Sequence, residues 1–303
     1  MNPRIKRPRR VELAVPGSSE KMMAKAAESR ADLVFLDLED AVAPNAKVAA
    51  RDKIVTALTT LNWGEKTRAV RINDLTTPYA YEDIIHVVEQ AHAHLDVIII
   101  PKVMSGKDIY FVDTLLTQIE KKLKLPKRIG LEALIEEVEA MINVEQIARS
   151  SDRLEAIIFG MGDYSASQGI DVKSIGGESP YPGDLWHYCR YKMIIAARAA
   201  GIDAVDGPFG NFKNPEAFRV ECERANILGC VGKWAIHPSQ IDIAVECFTP
   251  SPEDVDKARK LAQAYAQAEV QGLGAVSMDG MLVDAASVRI MGNILKRAEI
   301  LGL

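Results

Sequence analysis

The chain has 303 residues, 48% of them hydrophobic and 26% charged, with a formal net charge of −5 at pH 7. This length and composition can bury one large core or two ordinary ones. The negative charge gives no general attraction to nucleic acid or to an anionic membrane, and no apolar run approaches the roughly 20 residues that a bilayer requires.

The first ten residues form the strongly basic part of the chain. They include two prolines and no apolar core, so they indicate neither a signal peptide nor an amphipathic transit helix. We expect a solvated tail rather than a docking segment. Its basic residues are Arg4, Lys6, Arg7, Arg9 and Arg10.

Four cysteines occur without a C-x-x-C pair. Such spacing is typical of buried thiols in a cytoplasmic protein rather than of a disulfide framework or a zinc site. We therefore expect a cytoplasmic location. The cysteines are Cys189, Cys222, Cys230 and Cys247.

Short runs rich in Val, Ile and Leu recur along the chain, each followed by a longer stretch of helical period. Eight runs buried on both faces and separated by helices are typical of a parallel sheet, and their number fits a closed (β/α)₈ barrel of the TIM type. The alternative is an open doubly wound sheet, but its G-x-G-x-x-G dinucleotide fingerprint is absent. The runs are Val11–Val15, Leu33–Leu38, Arg68–Ile72, Val97–Ile100, Ile129–Leu134, Ala156–Phe159, Ala204–Val205 and Lys233–Ile236. The helical stretches include Tyr79–Ala91, Lys107–Lys122, Val138–Arg149, Trp186–Ala200 and Pro215–Leu228.

A C-terminal helical extension follows the predicted barrel. Ser251 can cap a helix that has proline at its first position and acidic residues in its first turn. We expect this helix to reach about Val270, and a last helix to begin near Asp284 after a glycine-rich break. The predicted barrel domain is residues 1–247. The extension, residues 248–303, is longer than a barrel needs and should cover an active-site mouth or reach a neighbouring subunit.

Reactive groups of such a barrel gather where strands end, at its C-terminal face. The candidates in chain order are Asp37, Glu39, Asp40, Arg71, Asn73, Lys102, Glu132, Glu136, Asp163, Asp206 and His237. Carboxylates without a matching set of cysteines or histidines suit a hard cation such as Mg²⁺. Glu132 and Asp163 are the preferred ligands because each follows an apolar run and is accompanied by glycine. A structural salt network with Arg71 and Lys102 is the open alternative.

Three other strand-end residues also have two interpretations each. Arg71 can hold a substrate carboxylate in its planar fork, or it can form an internal ion pair. Lys102 can be a Schiff-base lysine, but a fixed positive charge is favoured. For His237 a structural role is favoured over proton donation. No Gly-x-Ser-x-Gly elbow or cysteine-nucleophile signature is present.

Several unusual strings resemble the malyl-CoA lyases among the citrate lyase β-subunit-like enzymes. They run in the family's order from about residue 10 to residue 300. They are VELAVPGS, ADLVFLDLEDAVAPNAK, VRIN, LDVIIIPKV, GLEALIEE, FGMGDYSAS, DGPFGNF, GKWAIHPSQI, FTPS and LVDAAS. The resemblance implies a Mg²⁺- or Mn²⁺-dependent barrel enzyme, assembled as a homotrimer or homohexamer. Its reaction would be the reversible cleavage of malyl-CoA or β-methylmalyl-CoA to acetyl-CoA or propionyl-CoA and glyoxylate. A malyl-CoA thioesterase and a citramalyl-CoA or citryl-CoA lyase-type subunit are the alternatives.

The resemblance also assigns residues. It places the metal carboxylates on Glu132 and Asp163 and the arginine for the small acid on Arg71. It places a catalytic aspartate, lent by the neighbouring subunit, on Asp284. The positions that contact coenzyme A include Lys25, while Ser19 and Ala14 stand where some members have an arginine and an aromatic residue.

Overall fold

The computed structural model describes residues 5–171, 181–278 and 280–303. They form two compact units, Met1–Phe248 and Thr249–Leu303. In the first unit, eight parallel strands close into a barrel in chain order, with β8 pairing with β1. This architecture confirms the (β/α)₈ prediction. Among the described residues, no helix combines the length and apolar character that a membrane span needs.

The barrel strands are short, and each begins within two residues of the start of its predicted run. They are β1 (Val11–Pro16), β2 (Leu33–Asp37), β3 (Thr67–Arg71), β4 (Val97–Ile100), β5 (Gly130–Ile135), β6 (Leu154–Phe159), β7 (Asp203–Asp206) and β8 (Gly232–Ala235).

Helices connect the strands on the outside of the barrel. They are α1 (Glu20–Ala27), α2 (Lys47–Thr60), α3 (Ala80–Ala91), α4 (Gly106–Leu123), α5 (Val138–Ile142), α6 (Val144–Ala148), α7 (Met161–Gln168), α8 (His187–Ala200), α9 (Pro215–Leu228) and α10 (Ile241–Phe248). The single helix predicted over Val138–Arg149 is divided at Asn143 into α5 and α6.

The barrel core has two layers because alternate strand residues point to opposite faces. One cluster joins the outward-facing strand residues to the helices. The other consists of strand residues alone, among them Phe35, Ala69, Leu134 and Trp234, and fills the barrel interior. This alternation decides which residues at the strand ends face the interior.

The N-terminal segment is not the predicted solvated tail. The Arg9 side chain is fully buried, and its guanidinium donates to Glu155 at 2.5 Å, Glu132 at 2.8 Å and Asp203 at 3.2 Å. Arg7 likewise bonds to Glu155 at 2.8 Å. Buried carboxylates need paired cations, and these arginines supply them at the N-terminal end of the barrel. Arg4 lies outside the described residues.

The second unit contains two helices and a hairpin. They are α11 (Pro252–Val270), β9 (Ala275–Met278), β10 (Met281–Asp284) and α12 (Ala285–Leu301), with β9 and β10 antiparallel. Ser251 caps α11 by accepting the N–H of Asp254 at 3.0 Å, as predicted. The hairpin was not predicted, because its strands lie in the glycine-rich break and β9 is not a buried apolar run.

Candidate active site

A cavity of about 400 Å³ opens at the C-terminal end of the barrel. Strand alternation explains part of its lining. Phe35 and Ala69 face the interior, so Asp37 and Arg71, two residues further along β2 and β3, face it as well. The polar lining residues are Asp37, Asp40, Arg71, Glu136 and Asp163, and the apolar ones include Ala14, Met22, Phe35, Leu134 and Trp234.

Arg71 is held in a fixed plane at the edge of this cavity. Its Nε and Nη2 donate to the two carboxylate oxygens of Asp37, each at 2.7 Å, which is the bidentate geometry of a strong ion pair. Its guanidinium carbon lies 5.9 Å from the ring centre of Phe35 and 5.6 Å from that of Trp234. Burial opposes ionisation of Asp37, but Arg71 lowers the pKa of that carboxyl. The third nitrogen, Nη1, takes no part in the pair with Asp37.

Glu39 lies between two cations. Its Oε2 is 2.9 Å from Arg71 Nη1, and its Oε1 accepts a hydrogen bond from Lys102 Nζ. Within the described part of the chain, the buried Oε2 has no aligned hydrogen-bond donor, so its attraction to Arg71 is one of charge alone. Burial raises the pKa of Glu39, against the effect of Arg71 and Lys102. Burial also opposes the charge of Lys102, but Glu39 raises the pKa of Lys102 above its usual value, which favours a fixed charge over a Schiff-base role.

Glu136 and Asp163 reach the cavity from neighbouring strands. Glu136 directly follows β5, and Asp163 lies in the first turn of α7, just after β6. Oε1 of Glu136 accepts the backbone N–H of Lys102 at 2.8 Å. A Cβ at position 160 would come within 2.5 Å of Oε2, so glycine there leaves room beside this oxygen.

The electrostatics of this carboxylate pair fit a divalent cation. Burial raises the pKa of Glu136 to about 8; Arg71 opposes that rise, and Glu39 and Asp163 add to it. A bound cation would relieve the repulsion between Glu136 and Asp163. Two carboxylates at an open cavity suit Mg²⁺, which takes one or two protein carboxylates and completes its coordination with water and substrate.

Glu132, the other carboxylate expected to bind metal, does not lie at this mouth. It is fully buried near the start of β5 and accepts a hydrogen bond from Arg9 at 2.8 Å, in the network that also contains Glu155 and Asp203. That network occupies the N-terminal end of the barrel. The structure thus corrects the sequence interpretation, because it brings Glu136 rather than Glu132 together with Asp163.

The residues assigned to coenzyme A by resemblance lie on β1 and at the two ends of α1. Ala14 on β1 lines the cavity. Ser19 caps α1, accepting the N–H of Met22 at 3.4 Å, and Met22 also lines the cavity. Lys25 is exposed in the last turn of α1.

His237 has the structural environment that was favoured from the sequence. Its Nδ1 lies 2.9 Å from Ser239 Oγ and accepts the N–H of Ser239 at 3.2 Å. Its ring stacks on Phe212, with the centroids 4.5 Å apart. These contacts anchor the loop after β8.

Asp284 belongs to the second unit. Its Oδ1 accepts hydrogen bonds from the backbone N–H and the hydroxyl of Ser287, both at 2.9 Å, and so caps α12. These bonds lower the pKa of Asp284. Its predicted role at the site of a neighbouring subunit stays a prediction.

Several known proteins are similar to this chain. The profile of the HpcH/HpaI aldolase/citrate lyase family matches residues 10–238. An L-malyl-CoA/β-methylmalyl-CoA lyase of Cereibacter sphaeroides is 43% identical over 305 residues, covering 97% of this chain and 96% of that protein. A (3S)-malyl-CoA thioesterase, also of Cereibacter sphaeroides, is 33% identical, covering 96% and 95%.

A solved structure extends the similarity to three dimensions. It is the CitE protein of Mycobacterium tuberculosis in complex with magnesium, acetoacetate and coenzyme A, 26% identical with a TM-score of 0.75, covering 95% of this chain and 97% of that one. The similarity in sequence and the similarity in structure thus both extend over the barrel. The chain belongs to the HpcH/HpaI aldolase/citrate lyase family.

Proposed function

We propose that the protein is a Mg²⁺-dependent carbon–carbon lyase that reversibly cleaves L-malyl-CoA to acetyl-CoA and glyoxylate. β-Methylmalyl-CoA, which would give propionyl-CoA and glyoxylate, belongs to the same proposal. The observation that carries it is that Glu136, Asp163 and Arg71 line one cavity. The relative at 43% identity, named as a lyase for both thioesters, supports the choice of substrates.

Each group at the mouth has a place in this reaction. Glu136 and Asp163 would hold Mg²⁺ or Mn²⁺, and the bound cation supplies a Lewis acid for the hydroxyl and carboxylate oxygens of the malyl group. Arg71 binds the carboxylate of the glyoxylate portion through Nη1 and adds positive charge where negative charge develops. Asp37, Phe35 and Trp234 keep its guanidinium oriented for that contact.

Cleavage also needs a group that moves a proton at the acetyl carbon, and we assign it to Asp284. In the cleavage direction the malyl hydroxyl loses a proton as the carbon–carbon bond breaks, and protonated Asp284 would add one to the departing acetyl carbon, so no net proton is consumed. In condensation the Asp284 carboxylate would take a proton from the acetyl methyl group, and the new alkoxide would gain one. Because hydrogen bonds from Ser287 lower its pKa, Asp284 starts as the carboxylate that condensation requires. We propose that it comes from a neighbouring subunit of a homotrimer or homohexamer, covering the mouth and excluding water.

Coenzyme A would enter beside β1 and α1. Ala14 leaves space at the cavity wall, and Ser19 and Lys25 lie at the N-cap and in the last turn of α1, the helix that follows β1. The exposed ammonium of Lys25 suits the phosphates of the cofactor. The four cysteines are free thiols, which favours a reducing compartment, and we place the enzyme in the cytoplasm.

The second candidate is hydrolysis of the malyl-CoA thioester, favoured by the (3S)-malyl-CoA thioesterase at 33% identity. The purified chain should be given Mg²⁺ and a panel of hydroxyacyl-CoA esters that includes L-malyl-CoA. Acetyl-CoA and glyoxylate are the products expected. Free CoA and malate as main products would replace the lyase with a thioesterase.

A third possibility is a subunit that works only within a citrate lyase-type complex, on citramalyl or citryl thioesters. The same assay tests it, because such a subunit would be inactive on free malyl-CoA. Turnover of free malyl-CoA by the isolated chain would exclude this possibility.

A further inference from the structure

Lys102 has an unusual backbone conformation beside the cavity. It follows β4 and Pro101 with φ at +47°, in the left-handed region that L-residues rarely adopt. Lys124 is the other described non-glycine residue with positive φ, and it caps the C-terminal end of α4, where this conformation is common. Lys102 ends no helix, and strain of this kind gathers at functional sites.

The backbone and side chain of Lys102 contact different parts of the mouth. Its N–H donates to Glu136 Oε1 at 2.8 Å. Its Nζ donates to Glu39 Oε1 and lies 3.6 Å from Asp40 Oδ1. With this left-handed backbone, Lys102 contacts Glu136 through its N–H and the pair Glu39 and Asp40 through its ammonium.

The charge balance around Arg71 depends on this ammonium. Three carboxylates, those of Asp37, Glu39 and Asp40, lie within 3.8 Å of Arg71 nitrogens. The ammonium of Lys102 is a second cation beside these carboxylates, and it pairs with Oε1 of Glu39. The other oxygen of Glu39 faces Arg71 Nη1 at 2.9 Å without an aligned hydrogen bond, so this contact is open to exchange for another carboxylate.

We propose that Lys102 is a positioning residue that holds Glu39 out of hydrogen-bond alignment with Arg71, so that the carboxylate of a small 2-oxoacid can replace Glu39 at Nη1. The inference rests on the proposed function, since it assigns that carboxylate to Arg71. Without the ammonium, Glu39 is neutralised by Arg71 alone and competes with the oxoacid for the same nitrogen. The backbone N–H continues to hold Glu136 Oε1 in place when the side chain is changed.

The test is Lys102→Met, which keeps the backbone N–H and the aliphatic stem but removes the charge. Glyoxylate binding to the Mn²⁺-loaded protein, followed by calorimetry, should weaken at least tenfold, and the KM for glyoxylate in condensation should rise equally. The Kd for Mn²⁺, from electron paramagnetic resonance, and the KM for acetyl-CoA should stay within threefold. Lys102→Arg, which keeps the charge, should bind glyoxylate within threefold of the unaltered chain.

Glu39→Gln separates positioning from a merely structural role. The double variant Lys102→Met/Glu39→Gln should bind glyoxylate at least threefold more tightly than Lys102→Met alone, because the competing charge is gone. Alone, Glu39→Gln should bind glyoxylate at least as tightly as the unaltered chain, a prediction that holds even if Lys102→Met fails to fold. Unchanged glyoxylate binding in Lys102→Met, no rescue, or a loss of more than threefold in Glu39→Gln would overturn the proposal.

The two proposals fail in different ways. If the unaltered chain makes no malyl-CoA but loses glyoxylate binding on Lys102→Met, the proposed function fails and the role of Lys102 stands. If it makes malyl-CoA and Lys102→Met binds glyoxylate normally, the function stands and the role of Lys102 is rejected.

Discussion

Arg71 lines the cavity and donates from Nε and Nη2 to Asp37, which leaves Nη1 outside that ion pair. Lysine would preserve the positive charge but could not satisfy both oxygens of Asp37 and a substrate carboxylate in one plane. We expect Arg71→Lys to lower kcat/KM for glyoxylate about 100-fold, equivalent to about 2.7 kcal/mol of transition-state binding. Steady-state condensation kinetics with glyoxylate varied at saturating acetyl-CoA would measure this.

The KM for acetyl-CoA is the internal control for that variant, because Ala14, Ser19 and Lys25 are untouched. It should remain within threefold. Unchanged glyoxylate kinetics would return Arg71 to a purely structural ion pair with Asp37.

Among single residues, the sequence indicated the strand ends but favoured Glu132 over Glu136, the glutamate that lines the cavity. Glu132 and Glu136 are four residues apart, so both point into the barrel, and alternation cannot separate them. They differ in height along β5, by about 13 Å for an extended strand. The apolar run continues almost without interruption to Ile135, so its composition does not mark which glutamate stands at the mouth. Arg9, which donates a hydrogen bond to Glu132 Oε1, lies more than a hundred residues away along the chain, so the sequence around Glu132 does not reveal this contact.

At the scale of elements, the segment before β1 closes the N-terminal end of the barrel with buried charge. Glu12 on β1 accepts a hydrogen bond from Trp234 at 2.8 Å and lies 3.8 Å from Arg9. Burial and the neighbouring Glu132 raise the pKa of Glu12 well above its usual value. Burial also raises the pKa of Glu132. Because its own pKa is raised, Glu12 keeps its proton in the native state at pH values where the unfolded chain has lost it.

This difference makes stability depend on pH. The native state binds more protons, so the contribution of Glu12 is complete below the ordinary glutamate pKa of about 4.3 and falls as pH rises toward the native value. The slope for one proton is about −1.4 kcal/mol per pH unit. Glu12→Gln keeps the acceptor for Trp234 but cannot ionise, so its unfolding free energy should fall less steeply.

Urea unfolding of both proteins from pH 5 to pH 8 measures this effect. The two curves should diverge with rising pH, with the variant the more stable at pH 8. Parallel curves would show that Glu12 is ionised in the native barrel.

Most barrel strands could be predicted because they are buried apolar runs, and most helices because they span several turns. The split between α5 and α6 could not, because each of these helices has only five residues. The β9–β10 hairpin could not, because β9 is not a buried run and the hairpin lies among glycines. The buried arginines of the N-terminal segment were misread for a different reason. Their partners Glu155 and Asp203 lie at the starts of β6 and β7, and only the closed barrel brings them to Arg9.

At the scale of the whole molecule, the assignment of Asp284 predicts shared sites. Asp284→Ala and Arg71→Ala should each lower the rate of malyl-CoA cleavage at least 100-fold. Mixed oligomers of the two should recover activity, because some sites combine an intact Arg71 from one chain with an intact Asp284 from another. Lyase assays after unfolding and joint refolding of the two variants would detect the recovery.

Separately refolded variants, mixed only in the cuvette, are the control and should stay inactive. Demonstrably mixed oligomers without recovery would mean that each chain holds its own complete site. The assignments of Glu136, Asp163 and Arg71 would be unaffected by that result.

We propose that carbon–carbon cleavage takes place at the barrel mouth, with the metal held by Glu136 and Asp163. The most direct measurement is the rate of glyoxylate release from L-malyl-CoA as Mg²⁺ is titrated, for Glu136→Gln beside Glu132→Gln. Each substitution removes one buried carboxylate. Glu132 lies on β5 near the N-terminal end of the barrel, and Glu136 directly follows β5 at the C-terminal end. We predict that Glu136→Gln loses at least 100-fold in rate with its melting temperature preserved, and that Glu132→Gln stays within tenfold of the unaltered chain. Full Mg²⁺-dependent activity in Glu136→Gln, or its loss in a folded Glu132→Gln, would contradict this account.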